Sequence, residues 1–106
     1  MRKDKKERLE RAGWTVSDAK EFLGLTETES AVIDVRVSLA RALRRLRLSR
    51  NLSQAALAKR IGSSQSRVAK MEAGDPSVSI DLLLRSLFTS GSTNAAIGRA
   101  ISNAGT

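Results

Sequence analysis

Residues 53–74 read SQAALAKRIGSSQSRVAKMEAG, and the fold turns on how they are divided. Ser53 and Ser64 each precede a run of helix-forming residues, and the runs stop at Gly62 and Gly74. A serine before a helix caps its free amides, and a glycine after it accepts the left-handed turn. Leu57 and Ile61 stand four apart in the first run and Val68 and Met71 three apart in the second, so each run has one apolar face. This predicts two short helices, Ser53–Ile61 and Ser64–Glu72, joined by GSS. That connection is too tight for an antiparallel hairpin, so the helices must cross steeply, as a helix-turn-helix does.

The second helix is unusual on its other side. Gln65, Ser66, Ala69 and Lys70 recur at i, i+1, i+4 and i+5 and make a small, hydrogen-bonding face. Such a face suits the ~12 Å major groove of DNA, where glutamine pairs bidentately with adenine and arginine or lysine with guanine.

Charge placement points the same way. The chain carries a formal +8. Between Val35 and Met71 there are ten bases (Arg36, Arg41, Arg44, Arg45, Arg47, Arg50, Lys59, Arg60, Arg67, Lys70) and no acid. Residues 12–34 are opposite in sign, with Asp18, Glu21, Glu27, Glu29 and Asp34 against Lys20. A few lysines would pass as a solvated helix face. A long run of cations without an anion repels itself, and a polyanion relieves that cost. Nucleic acid is the expected polyanion; a lipid surface would call for an exposed aromatic or leucine-rich stripe as well.

Around this segment the chain reads as all helix, in one small domain with a short appendage. Residues 2–12 offer i,i+4 charge pairs but only Leu9 as a large apolar residue; GWTV (13–16) reads as a short extended piece, and Ser17 caps a short helix ended by Gly24. Thr26 and Glu29 have capping-box spacing and open a long helix over about 27–49. Val32, Ile33, Val35, Val37, Leu39, Ala40, Leu43 and Leu46 supply its apolar face, and Asn51 ends it in a left-handed turn. Ser79 caps IDLLLRSLF, with Leu82, Leu83 and Leu87 facing inward, and Thr93 caps NAAIGRAIS. Aromatics make up 3% of the chain, so the core must be aliphatic.

Other functions find little support. No apolar run approaches the ~20 residues of a membrane span, and the amino terminus is charged without an apolar stretch. The absence of cysteine excludes disulfides and thiolate metal sites and agrees with a cytoplasmic protein. With no His, Cys or Tyr, catalysis would have to use Ser, Lys or carboxylates. Ser17 and Lys20 have Ser-x-x-Lys spacing, but Ser17 reads better as a cap. Glu27 and Glu29 read as first-turn charges favoured by the helix dipole. Neither an enzyme nor a cofactor is expected.

Over residues 36–90, including LRRLRLSRNLSQAALAKRIGSSQSRVAKMEAGDPSVSIDLLLRSL, the sequence resembles the Xre/Cro family of helix-turn-helix DNA-binding proteins, the fold of phage lambda repressor and Cro. The resemblance implies an all-α bundle of about five helices over residues 31–106, preceded by an extension, 1–30. It further implies a cytoplasmic repressor that binds an inverted-repeat operator in double-stranded DNA as a homodimer. Gln65, Ser66 and Lys70 fall at the family's base-reading positions, with Arg67 beside them. Gln54, at the start of the first motif helix, corresponds to a glutamine that binds phosphate and braces the reading helix; Ser64 and Arg44 are further expected phosphate contacts. Arg47 and Glu72 map onto the family's structural ion pair. Two departures stand out. Ser63 sits where valine is commoner, and Asp75 and Pro76 replace the bases that relatives often carry, so phosphate contacts there would fall to Ser77, Ser79 and backbone amides.

A narrower likeness covers GWTVSDAKEFLGLTETE, which is similar to antitoxins of the HigA kind. It implies a basic RelE-like ribonuclease toxin as partner for the acidic 12–34 segment. Trp14 serves either the core or dimer packing, or such a partner. Arg44 and Arg45 touch phosphate or merely face solvent.

Overall fold

The computed structural model describes residues 26–105. The elements expected over 2–12, 13–16 and 17–24, with Trp14, lie outside the described residues. Among those described there are five helices and no strand: α1 (Glu27–Ser49), α2 (Gln54–Ile61), α3 (Gln65–Glu72), α4 (Ile80–Thr89) and α5 (Asn94–Ser102). The described residues thus form an all-α bundle.

Each helix begins where a hydroxyl can hold its first free amides. Thr26 and Glu29 close a reciprocal box, Glu29 N–H donating to Thr26 Oγ1 at 3.0 Å and Thr26 N–H to the Glu29 carboxylate at 3.4 Å. Ser53, Ser64, Ser79 and Thr93 accept from the amides of Ala56, Arg67, Leu82 and Ala96, all at 3.0–3.1 Å. Such a cap typically stabilises by ~1 kcal/mol.

The stops are equally local. Asn51 has φ 55°, the single non-glycine residue with positive φ among those described, and its short polar side chain tolerates that region. Gly62 follows α2 at φ 68°, and Ser63 N–H reaches back to the Ala58 carbonyl at 2.8 Å. That turn releases the chain from α2 and lets α3 start three residues later, at Gln65, packed against it.

The core lies within the compact unit Val35–Ala104 and is wholly aliphatic. Leu39 and Leu43 from α1, Leu57 from α2, Val68 and Met71 from α3, and Leu83 and Leu87 from α4 are each at most 2% exposed. Burying one such side chain is worth about 1.5–3 kcal/mol against leaving it in water. Phe88, the one aromatic among the described residues, stands outside at 48% exposure.

Two expected core residues are not core. Val32 and Ile33 are 43% and 41% exposed. Helical periodicity places Val32 in line with Leu39, but seven residues of helix are about 10 Å of rise, and the buried side chains of α1 begin only at Leu39. Val35 and Leu46 are partly buried against the core, and Val37 is half-buried. Leu82 is likewise half-buried, leaving Leu83 and Leu87 as the buried pair of α4.

Candidate nucleic-acid interface

The division of α3 into two faces is complete. Val68 and Met71 are 0% exposed, whereas Gln65, Ser66, Arg67 and Lys70 are all exposed. Ala69, expected on the outer face, is half-buried at its edge. The methionine sulfur meets a polar neighbour, since the buried Ser86 hydroxyl donates to Met71 Sδ at 3.5 Å. The exposed side chains present amide, hydroxyl, guanidinium and ammonium groups on a helix of eight residues.

What holds this helix in place is a clamp at its far end. Arg47 Nε donates to Glu72 Oε2 at 2.6 Å and Arg47 Nη2 to Glu72 Oε1 at 2.9 Å, a two-pronged pair whose side chains are 11% and 4% exposed. The remaining fork of Arg47, Nη1, donates to the Leu52 carbonyl at 2.8 Å. Gln54 Nε2 donates to the same Glu72 oxygen at 3.3 Å. One carboxylate thus gathers the end of α1, the start of α2 and the end of α3. Its hydrogen bond raises the Arg47 pKa above the ordinary guanidinium value, so the guanidinium stays charged.

Gln54 is half-buried and uses one amide N–H on Glu72. Its second N–H is left for another acceptor. Ser64 is exposed; its oxygen accepts from the Arg67 amide, and the hydroxyl proton can still be donated outward. Arg44 is exposed on α1 and, among the described residues, has no ion-pair partner.

The turn after α3 is organised by Asp75. Its Oδ1 accepts from the Ser77 amide at 2.8 Å, closing an Asx-type turn, and Arg36 Nε donates to the Val78 carbonyl at 3.2 Å from α1. The backbone and hydroxyl of Ser77 hold the Asp75 carboxyl below the usual carboxylate range. Ser77 is exposed, but its amide is engaged, and Ser79 Oγ caps α4.

Sequence reasoning reads a turn at DPSVS (75–79), where Asp75 closes one, but did not find the Gln54–Glu72 bond or the Arg36 anchor. Asp-Pro-Ser is itself a turn signal; the other two join residues 18 and 42 apart and leave no local trace.

Eight of the ten bases in the acid-free segment are exposed, and only Arg36 and Arg47 are drawn inward. Among the described residues no cluster of three acidic, His or Cys side chains forms a metal site, and no helix is long and apolar enough to cross a membrane.

Comparison with curated proteins and with solved structures gave no match. A family model described as helix-turn-helix matches residues 43–85, from the buried Leu43 of α1 to Arg85 of α4. It does not reach the 12–34 stretch that carries the antitoxin likeness. The match encloses the Arg47–Glu72 clamp and the whole of α2 and α3, so this part of the chain is similar to helix-turn-helix domains.

Proposed function

We propose that the protein is a sequence-specific, dimeric regulator of transcription that represses by occupying an inverted-repeat operator. Each subunit seats α3 in a major groove, with half-sites about one helical turn apart. Gln65, Ser66, Arg67 and Lys70 read base edges. Gln54, Ser64, Arg44 and Ser77 contact phosphate, Ser77 through its hydroxyl because its amide serves Asp75. The observation that carries this reading is the split of α3: two side chains fully buried, four polar or cationic ones exposed, and the single acid turned away into the clamp with Arg47.

Selection of bound duplexes from a random pool, followed by footprinting, tests the proposal. A single palindromic motif enriched by the wild type supports it; enrichment of no motif overturns it.

The antitoxin reading is a second function for the same chain and rests on the acid-rich 12–34 segment. Its test is capture of a basic RelE-like protein by the full chain, lost when the acids of 12–34 are replaced by their amides. Capture that survives those changes removes the reading.

A further inference from the structure

On the side of α1 away from α3, a groove of about 650 Å3 opens between α1 and α5, wholly within the compact unit 35–104. Ser38, Ala42, Leu46 and Ser49 recur along α1 as one stripe that lines it, and Ala96 and Ala100 line it from α5. Only two positions separate Arg45, at the groove, from Arg47, but at 3.6 residues per turn that is about 200° of rotation. The groove therefore lies across α1 from the clamp that holds α3.

Its walls are cationic. Arg41 and Arg45 of α1 and Arg99 of α5 line the groove; all three are exposed, and among the described residues none has an ion-pair partner. No acid lines it among the described residues. Arg41 and Arg45 stand one helical turn apart, where like charges repel and destabilise a helix. Arg99 adds a third charge from the opposite wall. An anion held among them removes that repulsion and accepts forked hydrogen bonds from the guanidiniums. Ser38 and Ser92, half-buried at the groove, have side chains without a hydrogen-bond partner among the described residues and add neutral donors.

The floor has the opposite character. Ala42, Leu46, Ala96 and Ala100 are apolar and mostly small, and the volume falls within the ~300–1,000 Å3 of small-molecule sites. A bare anion leaves that floor in water. The backbone of a duplex is too broad to enter and meets only the arginine rim. A ligand with a phosphate at one end and an organic body at the other satisfies both parts of the groove. We propose that it binds a small phosphate ester, the phosphate between Arg41, Arg45 and Arg99 and the organic body on the alanine floor. The site leaves the exposed face of α3 clear and stands apart from the DNA reading given above.

The experiment follows the calorimetric melting temperature of the full chain without DNA, at constant ionic strength, with adenosine 5′-monophosphate and ribose 5-phosphate as probes. Each ester should raise it by several degrees and keep raising it with the logarithm of concentration above Kd. Adenosine, and inorganic phosphate at the same concentration, should do much less. Arg41→Ala with Arg99→Ala should weaken ester binding about tenfold or more. Lys59→Ala with Arg85→Ala removes the same charge from exposed positions elsewhere and should keep it. If the groove variant does not melt cooperatively, Arg41→Gln with Arg99→Gln replaces it under the same expectation. No shift with either ester, a shift that survives the groove variant, or an equal shift from adenosine or inorganic phosphate overturns the proposal. So does a shift given by non-operator duplex and by neither ester, which would assign the groove to nucleic-acid backbone. Operator selection by the groove variant should return the wild-type motif; failure of ester binding with that selection intact leaves the reading of α3 standing.

Discussion

Arg47 Nε meets Glu72 Oε2 at 2.6 Å, across 25 residues of chain, and so makes the orientation of α3 a property of α1. The pair is almost fully enclosed, which sets what happens when it is broken. Removing one partner strands the other charge, at about 3–5 kcal/mol. Glu72→Ala should therefore lower the melting temperature steeply, at ~4–8 °C per kcal/mol for a unit of this size. The double change Arg47→Met/Glu72→Met strands nothing and should lose less than the two single changes added together. Thermal melts of wild type, Glu72→Ala, the two single methionine variants and the double variant decide it. Unchanged stability of Glu72→Ala with tighter DNA binding would instead make Glu72 an exposed acid that only opposes phosphate.

Gln65 and Gln54 are both glutamines at helix starts, yet they should behave differently. Gln65 is exposed at the amino-terminal end of α3, and if that end reads bases as proposed, Gln65→Ala should cost ~1–3 kcal/mol on the best operator and relax preference at one base pair. Gln54 is tied to Glu72, so Gln54→Ala should weaken all sequences alike and also lower the melting temperature. A panel of single-base operator variants, bound by both mutants, separates them. An unchanged preference profile for Gln65→Ala would remove that residue from base reading.

Salt should act strongly on binding. The log–log slope of affinity against salt is roughly −0.9 per neutralised phosphate. Arg44→Ala should make that slope shallower by about one for each subunit bound, without altering base preference. A wild-type slope near zero is incompatible with phosphate contacts from this surface.

Asp75 gives the turn after α3 a dependence on acid. Its folded pKa lies below the unfolded value of about 3.9, chiefly because the Ser77 amide favours the carboxylate. A depressed carboxyl stabilises the fold above the unfolded pKa, and the contribution disappears as pH falls through the folded one. Asp75→Asn keeps an amide oxygen for the turn but has no charge to titrate. The melting temperatures of wild type and Asp75→Asn should differ by a constant amount above about pH 5 and converge below about pH 4. A gap that stays constant down to acid denaturation would show that the turn draws nothing from ionisation.

What the sequence revealed depended on distance along the chain. The caps at Ser53, Ser64, Ser79 and Thr93 and the left-handed turns at Asn51 and Gly62 involve neighbours within about five residues, and the structure has them where the residue types indicated. The outward face of α3 follows from the 3.6-residue period once Val68 and Met71 are taken as core. Period alone does not say where a core stops, which is why Val32 and Ile33 were expected inside and stand in solvent. Gln54 on Glu72, and Arg99 beside Arg41 and Arg45, depend on how separate helices pack. No local pattern encodes that.

The aliphatic core has a practical consequence for anyone who follows the folding of this protein. The unit 35–104 buries leucine, valine, isoleucine, alanine and methionine, and its single aromatic, Phe88, is at the surface. Trp14 is the chain's one tryptophan, outside that unit, and there is no tyrosine. Unfolding of that unit therefore has no tryptophan or tyrosine of its own to report it, and is followed through its peptide bonds. Far-ultraviolet dichroism sees that unfolding directly; a flat tryptophan signal during a melt is no sign that α3 is still in place.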